Sequence, residues 1–226
     1  MSENIRVAID GPSGAGKSTL ARSVAARLNF LYVDTGAIYR TIGYAVWRKG
    51  IDPRDRSAVV AVLPDLEICL TYGTDGLQHM ELNGMDVTAE IRLPEVSRYA
   101  SLVSAYPEVR AYLLEMQRQL ARENSVVMDG RDIGTVVLPH AGAKVFLTAA
   151  PEARARRRLL ELKQRGQETE LETVLRDIVQ RDEQDRNRAV APLRQAEDAV
   201  LLDTTELGLE ESLKALISLV KGRLAQ

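Results

Sequence analysis

The sequence is poor in the residues that form disulfides and metal centres. It has one cysteine, Cys69, and two histidines, His79 and His140. A single cysteine cannot form a disulfide within the chain, and two isolated histidines are too few for a His/Cys metal site. Any metal ion that the protein uses must therefore arrive with a substrate.

Long apolar runs and an excess of charge of one sign are missing as well. No uninterrupted apolar stretch reaches the length of about eighteen residues that a membrane-spanning helix needs. The 30 lysines and arginines nearly balance the 32 aspartates and glutamates, for a net charge of −2. This balance provides no overall field for holding nucleic acid or an anionic membrane. We therefore expect a soluble, cytosolic protein that binds neither. We also expect the protein to be a monomer.

Apolar residues are plentiful enough for one sizeable core. They make up 45% of the 226 residues, which predicts a single domain spanning 1–226. Short apolar runs alternate with helically spaced segments, as is typical of an α/β protein with a parallel sheet. Between Leu66 and Thr88 the pattern changes to short runs separated by turn signals such as Asn83-Gly84. This stretch predicts three antiparallel strands.

A glycine-rich segment, GPSGAGKS, follows the first strand-like run and precedes a helical pattern. It satisfies GxxxxGK[ST], in which backbone N–H groups surround phosphate oxygens at a helix N-terminus. Lys17 would bridge the β- and γ-phosphates of ATP, and the Ser18 hydroxyl would bind Mg²⁺. The alternative, a structural turn, has no use for Lys-Ser after the second glycine. The predicted nucleotide-binding residues are Gly11, Pro12, Ser13, Gly14, Ala15, Gly16, Lys17, Ser18 and Thr19.

Other proteins with this loop are excluded by what the rest of the chain lacks. A switch GTPase needs an Asn-Lys-x-Asp segment to read its base, and a motor or transporter ATPase needs a much longer chain. A kinase of a small molecule remains.

Three further segments narrow the class: DTGAIYR (Asp34 to Arg40), DGRDIGTVV (Asp129 to Val137) and RDEQDRNRAVAPL (Arg181 to Leu193). Together with the phosphate loop, and in this order, they resemble the bacterial cytidylate kinase family of the nucleoside monophosphate kinases. The resemblance spans Ile5 to about Thr204. It implies transfer of the γ-phosphate of ATP to CMP or dCMP, with Mg²⁺ bound alongside ATP.

The resemblance also implies an architecture. We expect a three-layer α/β P-loop fold with a central five-stranded parallel sheet. A three-stranded antiparallel insertion at 64–92 would lie within a monophosphate-binding region at 35–105, and a helical lid would occupy 151–190. These boundaries are predictions from the resemblance.

Site residues follow from the same resemblance. Those implied to hold the CMP phosphate or the phosphoryl group in transfer are Arg40, Arg110, Arg131 and Arg188. Those implied to recognise cytosine or its surroundings are Thr35, Ser101 and Asp132, while Arg181 and Asp185 would reach the ribose. The implied catalytic set is Lys17, Arg131 and Arg188. An acceptor phosphate with a second pKa of about 6 needs positive charge more than it needs a strong base.

Three of these residues can also be examined through helix geometry. Arg181, Asp185 and Arg188 have the spacing i, i+4 and i+7, so in a helix they would project from one face and could contact one ligand. The alternative is a solvated face with Arg181–Asp185 and Asp182–Arg186 ion pairs, each contributing a few tenths of a kcal/mol. The accompanying motifs favour the ligand-binding interpretation.

The most basic run is ARARRR, Ala153 to Arg158, and it has no aromatic residues beside it for stacking on bases. A nucleic-acid or solvent-facing patch is the alternative interpretation. We interpret the run as part of a mobile lid in which Arg154, Arg157 or Arg158 closes over the triphosphate and excludes water.

Asp129 has two possible roles. It follows an apolar strand and could hold a Mg²⁺-bound water, or it could orient Arg131.

Two further functions stay open at this point. One is a P-loop kinase for UMP, shikimate or dephospho-coenzyme A, and the other is a nucleotide-binding regulator without turnover. The four arginines at 40, 110, 131 and 188 favour an anionic acceptor, because a kinase of a neutral alcohol needs a carboxylate base instead.

Overall fold

A computed structural model describes residues 4–74, 76–164 and 166–225. The chain divides into two compact units. The first unit comprises Met1–Tyr32 and Ala121–Gln226, and the second comprises Val33–Leu120. The region predicted at 35–105 lies within the second unit and the region at 151–190 within the first, although their functional boundaries stay predictions.

Strands and helices alternate along most of the chain. The strands are β1 (Arg6–Asp10), β2 (Leu31–Asp34), β3 (Ile68–Tyr72), β4 (Gln78–Leu82), β5 (Met85–Asp86), β6 (Val126–Gly130), β7 (Ala143–Thr148) and β8 (Val200–Asp203). The helices are α1 (Lys17–Leu28), α2 (Thr35–Arg48), α3 (Arg56–Val62), α4 (Pro94–Val103), α5 (Pro107–Glu123), α6 (Pro151–Gln164), α7 (Leu171–Arg186) and α8 (Leu209–Leu224). Within the described residues, none of these helices combines the length and hydrophobicity needed to cross a bilayer.

The central sheet has five strands in the order β2-β6-β1-β7-β8. β1 runs parallel to both of its neighbours, and β7 runs parallel to β8. Such a sheet is covered on both faces, which explains why β1 and β6 read as nearly continuous apolar runs in the sequence. The predicted five-stranded parallel sheet is therefore confirmed.

The core of the first unit positions the phosphate loop. Val7 and Ile9 of β1 are completely buried and pack in one cluster with Leu20 and Val24 of α1. Leu216 of α8 joins the same cluster. The segment between β1 and α1 is thus anchored at both ends, which gives the loop a rigid base.

The second unit contains the antiparallel sheet β3-β4-β5, which we call the three-stranded lobe. Asn83 and Gly84 connect β4 to β5 with φ values of 50° and 76°, and Leu82 pairs with Met85 across the turn. Two consecutive positive φ values match the twist of a tight hairpin, so Asn-Gly is the expected pair here. The prediction of three antiparallel strands is confirmed.

One prediction from helical spacing is wrong. α7 ends at Arg186, so Arg188 lies beyond the helix and does not share a helical face with Arg181 and Asp185. The chain leaves the helix at Asn187, and Arg188 approaches Asp185 from the following segment. A short π-helical turn, Ile133–Val137, was likewise not predicted, because its pattern resembles an ordinary apolar run.

Candidate active site

The phosphate loop adopts a conformation that requires glycine. Gly11, Gly14 and Gly16 have φ values of 152°, 73° and 86°. A Cβ atom on Gly11 would lie 1.9 Å from the carbonyl oxygen of Leu147, so no larger residue fits beside β7. Gly16 is the N-cap of α1, which places the loop at a helix N-terminus where backbone N–H groups and the helix dipole favour an anion.

Lys17 is the first residue of α1 and folds back over the loop. Its Nζ donates a hydrogen bond to the Pro12 carbonyl oxygen at 2.7 Å, and the residue is 6% exposed. Burial, followed by the nearby charge of Arg131, lowers the pKa of Lys17 to about 7, against the opposing effects of Asp129 and Asp185. Phosphate oxygens are the type of ligand that would stabilise this poorly solvated ammonium group.

Ser18 and Asp129 lie side by side at the end of the central strands. The Ser18 hydroxyl donates to Asp129 Oδ2 at 2.9 Å, and the Tyr32 hydroxyl donates to Asp129 Oδ1 at 2.8 Å. Of the two roles considered for Asp129, this geometry favours the holding of a Mg²⁺-bound water, because Asp129 lies beside Ser18, the predicted Mg²⁺ ligand. Among the described residues no group of three or more His, Cys, Asp or Glu could hold a metal ion by itself. One hydroxyl and one carboxylate suit Mg²⁺, which is usually completed by substrate phosphates and water.

Three of the predicted arginines surround one carboxylate. Arg131 Nε donates to Asp185 Oδ2 at 2.7 Å, and Arg188 Nη1 lies 3.8 Å from Asp185 Oδ1. Burial would raise the pKa of Asp185, but Arg131, Arg181 and Arg188 together hold it below its usual value. Three guanidiniums around one ionised carboxylate leave excess positive charge, which suits a polyanionic ligand.

The alternative of a solvated α7 face does not hold. Asp182 and Asp185 are only 2% and 5% exposed. Each pairs with an arginine from another segment: Asp182 with Arg154, and Asp185 with Arg131. This side of α7 is therefore an internal polar layer.

The three predicted lid arginines occupy three different environments. Arg154 is 1% exposed and donates to the carbonyl oxygens of Ala149 at 2.8 Å and Ser13 at 2.9 Å. Arg157 donates to the Thr204 hydroxyl at 3.1 Å, whereas Arg158 pairs on the surface with Glu161 at 3.0 Å. Arg154 thus supports the phosphate loop through Ser13. Closure of these side chains over a triphosphate stays a prediction.

Asp10 belongs to this site although its sequence position does not predict it. Its two carboxylate oxygens accept the N–H groups of Ile133 at 2.8 Å and Gly134 at 2.7 Å. Burial raises its pKa to about 6, partly offset by those two hydrogen bonds. Asp10 thereby connects the end of β1 to the turn that directly follows Arg131 and Asp132. The only sequence signal was an acidic residue closing an apolar strand just before the loop.

The remaining predicted residues belong to the second unit. Arg40 pairs with Asp34 at 3.0 Å, and the buried Arg110 donates to the Ser104 carbonyl oxygen at 3.1 Å. Thr35 is 3% exposed. Within the described part of the chain, the buried hydroxyl oxygen of Ser101 has no hydrogen-bond partner. A buried polar atom of this kind is costly unless a ligand satisfies it.

Comparison with known proteins gives concordant matches. The sequence profile of the family described as cytidylate kinase matches residues 7–222. A cytidylate kinase from Caldicellulosiruptor bescii is 49% identical over 217 residues, which cover 96% of each chain. Another from Desulfitobacterium hafniense is 51% identical over 219 residues, covering 97% of this chain and 94% of that one.

A solved structure shares the fold. The shikimate kinase from Bacteroides thetaiotaomicron has a TM-score of 0.50 and 17% identity, with 98% of this chain and 99% of that chain covered. Similarity at this level concerns the fold alone.

Proposed function

The chain belongs to the cytidylate kinase family, and we propose that it transfers the γ-phosphate of ATP to CMP or dCMP, giving CDP or dCDP. The observation that carries the proposal is the match, at about half identity and nearly full length, to proteins of that name. The charge and hydrogen-bonding features of the described residues support it independently.

ATP would bind on the phosphate loop. The N–H groups between Gly11 and Thr19 would surround its phosphates, and Lys17 would exchange its contact with the Pro12 carbonyl oxygen for phosphate oxygens. Ser18 would hold Mg²⁺ with Asp129 beside it, and the ion would neutralise phosphate charge.

The acceptor phosphate would be bound by arginine. By resemblance to the family, each of Arg40, Arg110, Arg131 and Arg188 would bind this phosphate or the phosphoryl group in transfer. Arg131 and Arg188 are already held near one carboxylate, Asp185, so little reorganisation is needed before they bind an anion. The phosphate of a nucleoside monophosphate is the nucleophile and is largely ionised near neutral pH, so no side chain has to remove a proton from it.

Cytosine would be recognised by hydrogen bonds. Asp132 is 4% exposed and offers acceptors for the exocyclic amine of cytosine. The buried Ser101 hydroxyl would gain the partner that it lacks within the described residues. Thr35 would complete this set, while Arg181 and Asp185 would contact the ribose. A base that cannot form these hydrogen bonds would leave buried polar groups of the site unpaired, and this penalty discriminates strongly between bases.

An acceptor panel tests the proposal. ADP release is measured in a coupled assay with ATP and, in turn, CMP, dCMP, UMP, AMP, GMP or shikimate. We expect strong preference for the two cytidine nucleotides. Equal rates with UMP would contradict the cytosine assignment, and shikimate turnover would place the chain among kinases of neutral alcohols. ATP binding without turnover of any acceptor would instead identify a nucleotide-binding regulator.

A further inference from the structure

A glutamine occupies the apolar face of the three-stranded lobe. Burial alternates along β4, so Gln78, Met80 and Leu82 point to the same buried side. Gln78 is the polar member of this set and is only 8% exposed. A buried amide is costly unless its oxygen and its nitrogen both find hydrogen-bond partners. The partners of the Gln78 amide therefore indicate the role of this residue.

Both ends of the Gln78 amide bind the backbone of one residue, Asp34. The Asp34 N–H donates to Gln78 Oε1 at 2.7 Å, and Gln78 Nε2 donates to the Asp34 carbonyl oxygen at 3.2 Å. Two bonds to one residue restrain the peptide groups on both of its sides. Gln78 therefore controls the position of Asp34 across 44 residues of sequence.

The Asp34 side chain in turn positions a helix and two arginines. Its Oδ1 accepts the Ala37 N–H at 2.9 Å, which caps the start of α2. Its Oδ2 lies 3.0 Å from a guanidinium nitrogen of both Arg40 and Arg92. Burial would raise the pKa of Asp34, but the two arginines outweigh that effect and hold it below its usual value. The carboxylate is thus a fixed anion that aligns two cations.

Charge explains why an amide suits position 78. One carboxylate between two guanidiniums leaves a net positive charge, so Arg40 can still attract a phosphate. A carboxylate at position 78 would cancel that charge, and a lysine would compete for Asp34. A glutamine restrains the backbone of Asp34 without changing the local charge.

We propose that Gln78 is a positioning residue of the acceptor site: it restrains Asp34, and Asp34 holds the Arg40 guanidinium in the orientation that binds the acceptor phosphate. The three-stranded lobe then contributes to acceptor binding through Gln78. This inference rests on the proposed function, in which Arg40 contacts that phosphate.

The test compares two substitutions in the same lobe. Gln78→Met removes both bonds to Asp34 at nearly constant volume. Thr88→Val is the matched control. The Thr88 hydroxyl accepts the Met80 N–H at 2.9 Å, so this substitution also removes a hydrogen bond within the lobe. Steady-state kinetics give kcat and the KM values for CMP and ATP, and thermal unfolding gives Tm.

We expect Gln78→Met to raise the KM for CMP about tenfold, as expected for the loss of two hydrogen bonds, with the KM for ATP unchanged. Thr88→Val should lower Tm to a similar extent and leave the KM for CMP within about twofold of that of the unchanged protein. Equal KM values for CMP in both variants would show that the lobe hydrogen bonds act on stability alone and would overturn the inference.

A double-mutant cycle with Arg40→Met identifies the route of the effect. If Gln78 acts through Arg40, the double variant will have the same KM for CMP as Arg40→Met alone. Fully additive effects would overturn the inference.

If Gln78→Met does not fold, Gln78→Glu replaces it in the cycle. The added charge of the glutamate next to Asp34 should draw Arg40 away from phosphate and so also raise the KM for CMP. Absence of CMP turnover in the unchanged protein would overturn the proposed function and this inference together. Turnover with additive effects would overturn the inference only.

Discussion

Arg154 and Asp182 form an ion pair that is almost completely withdrawn from solvent. Arg154 Nη2 lies 2.7 Å from Asp182 Oδ2, and the two side chains are 2% and 3% exposed. The same guanidinium also donates to the Ser13 carbonyl oxygen in the phosphate loop at 2.9 Å. This one side chain therefore joins α6, α7 and the loop.

Arg154→Met should destabilise the protein strongly. It leaves the Asp182 carboxylate buried without its cation, a loss that costs about 3–5 kcal/mol of unfolding free energy. Urea denaturation measures this directly. Arg158→Met, in the same helix, is the control: its pair with Glu161 is exposed, so we expect a change below about 1 kcal/mol. Equal effects of the two substitutions would contradict the role assigned to the buried pair.

Asp129→Asn should impair the use of Mg²⁺. The amide can still accept a hydrogen bond from the Ser18 hydroxyl, so the substitution removes charge more than geometry. We expect kcat to fall about 10- to 100-fold and the Mg²⁺ concentration for half-maximal activity to rise. Tyr32→Phe removes the other hydroxyl partner of Asp129 but keeps its charge, and should have a much smaller effect. The reverse order of effects would argue that Asp129 acts mainly through Tyr32.

Lys17→Ala should abolish turnover while leaving the fold intact, because the ammonium group donates its hydrogen bond to the nearby carbonyl oxygen of Pro12 in the loop and does not link distant elements by it. Arg188→Ala should lower kcat about a thousandfold, the effect expected for a cation that stabilises charge in the transition state. Single-turnover and steady-state kinetics measure both effects. A change in the KM for CMP alone would move Arg188 from the catalytic residues to the binding residues.

Asp10 predicts a pH dependence of stability. Its pKa rises from 3.8 to about 6 on folding, so the folded chain binds a proton there more tightly than the unfolded chain does. The stability that the folded chain gains from this tighter proton binding is fully present below about pH 4 and is lost as the pH rises through about 6. Relative to Asp10→Asn, the unfolding free energy of the unchanged protein should therefore fall by about 2–3 kcal/mol between about pH 4 and pH 7.

Urea denaturation of both proteins at several pH values tests this expectation. Asp10→Asn also loses a hydrogen bond, which changes its unfolding free energy equally at every pH. The test therefore depends on how the difference in unfolding free energy between the two proteins changes with pH, and not on its absolute size. A difference that is constant with pH would show that Asp10 is ionised equally in the folded and unfolded chains.

Much of the architecture followed from local patterns. The predicted alternation of short apolar runs with helically spaced segments is found in β1 followed by α1 and in β7 followed by α6. The phosphate loop and the Asn83-Gly84 turn were also predicted, because each is a short segment whose glycines determine its own backbone conformation. Periodicity and turn chemistry act within a few residues, so they can be read without knowing the fold.

Contacts between distant residues were decided by the tertiary structure alone. Asp10 binds backbone groups 123 and 124 positions away, and Gln78 binds Asp34 across 44 positions. Neither pairing has a local signal, because both depend on strand register and on which polar groups are left to be satisfied once the core is packed. The same holds for Arg154, which the sequence indicated as a lid arginine and not as the buried partner of Asp182.

The amino-acid sequence by itself determined the phosphate loop, the alternation of strands and helices, and the four segments that resemble one family. The tertiary structure decided which carboxylate each arginine meets: Asp185 for Arg131, Asp182 for Arg154, and Asp34 for Arg40. The physical reason is that a buried charge must be paired, and its partner is whichever opposite charge the packed chain brings within hydrogen-bonding distance.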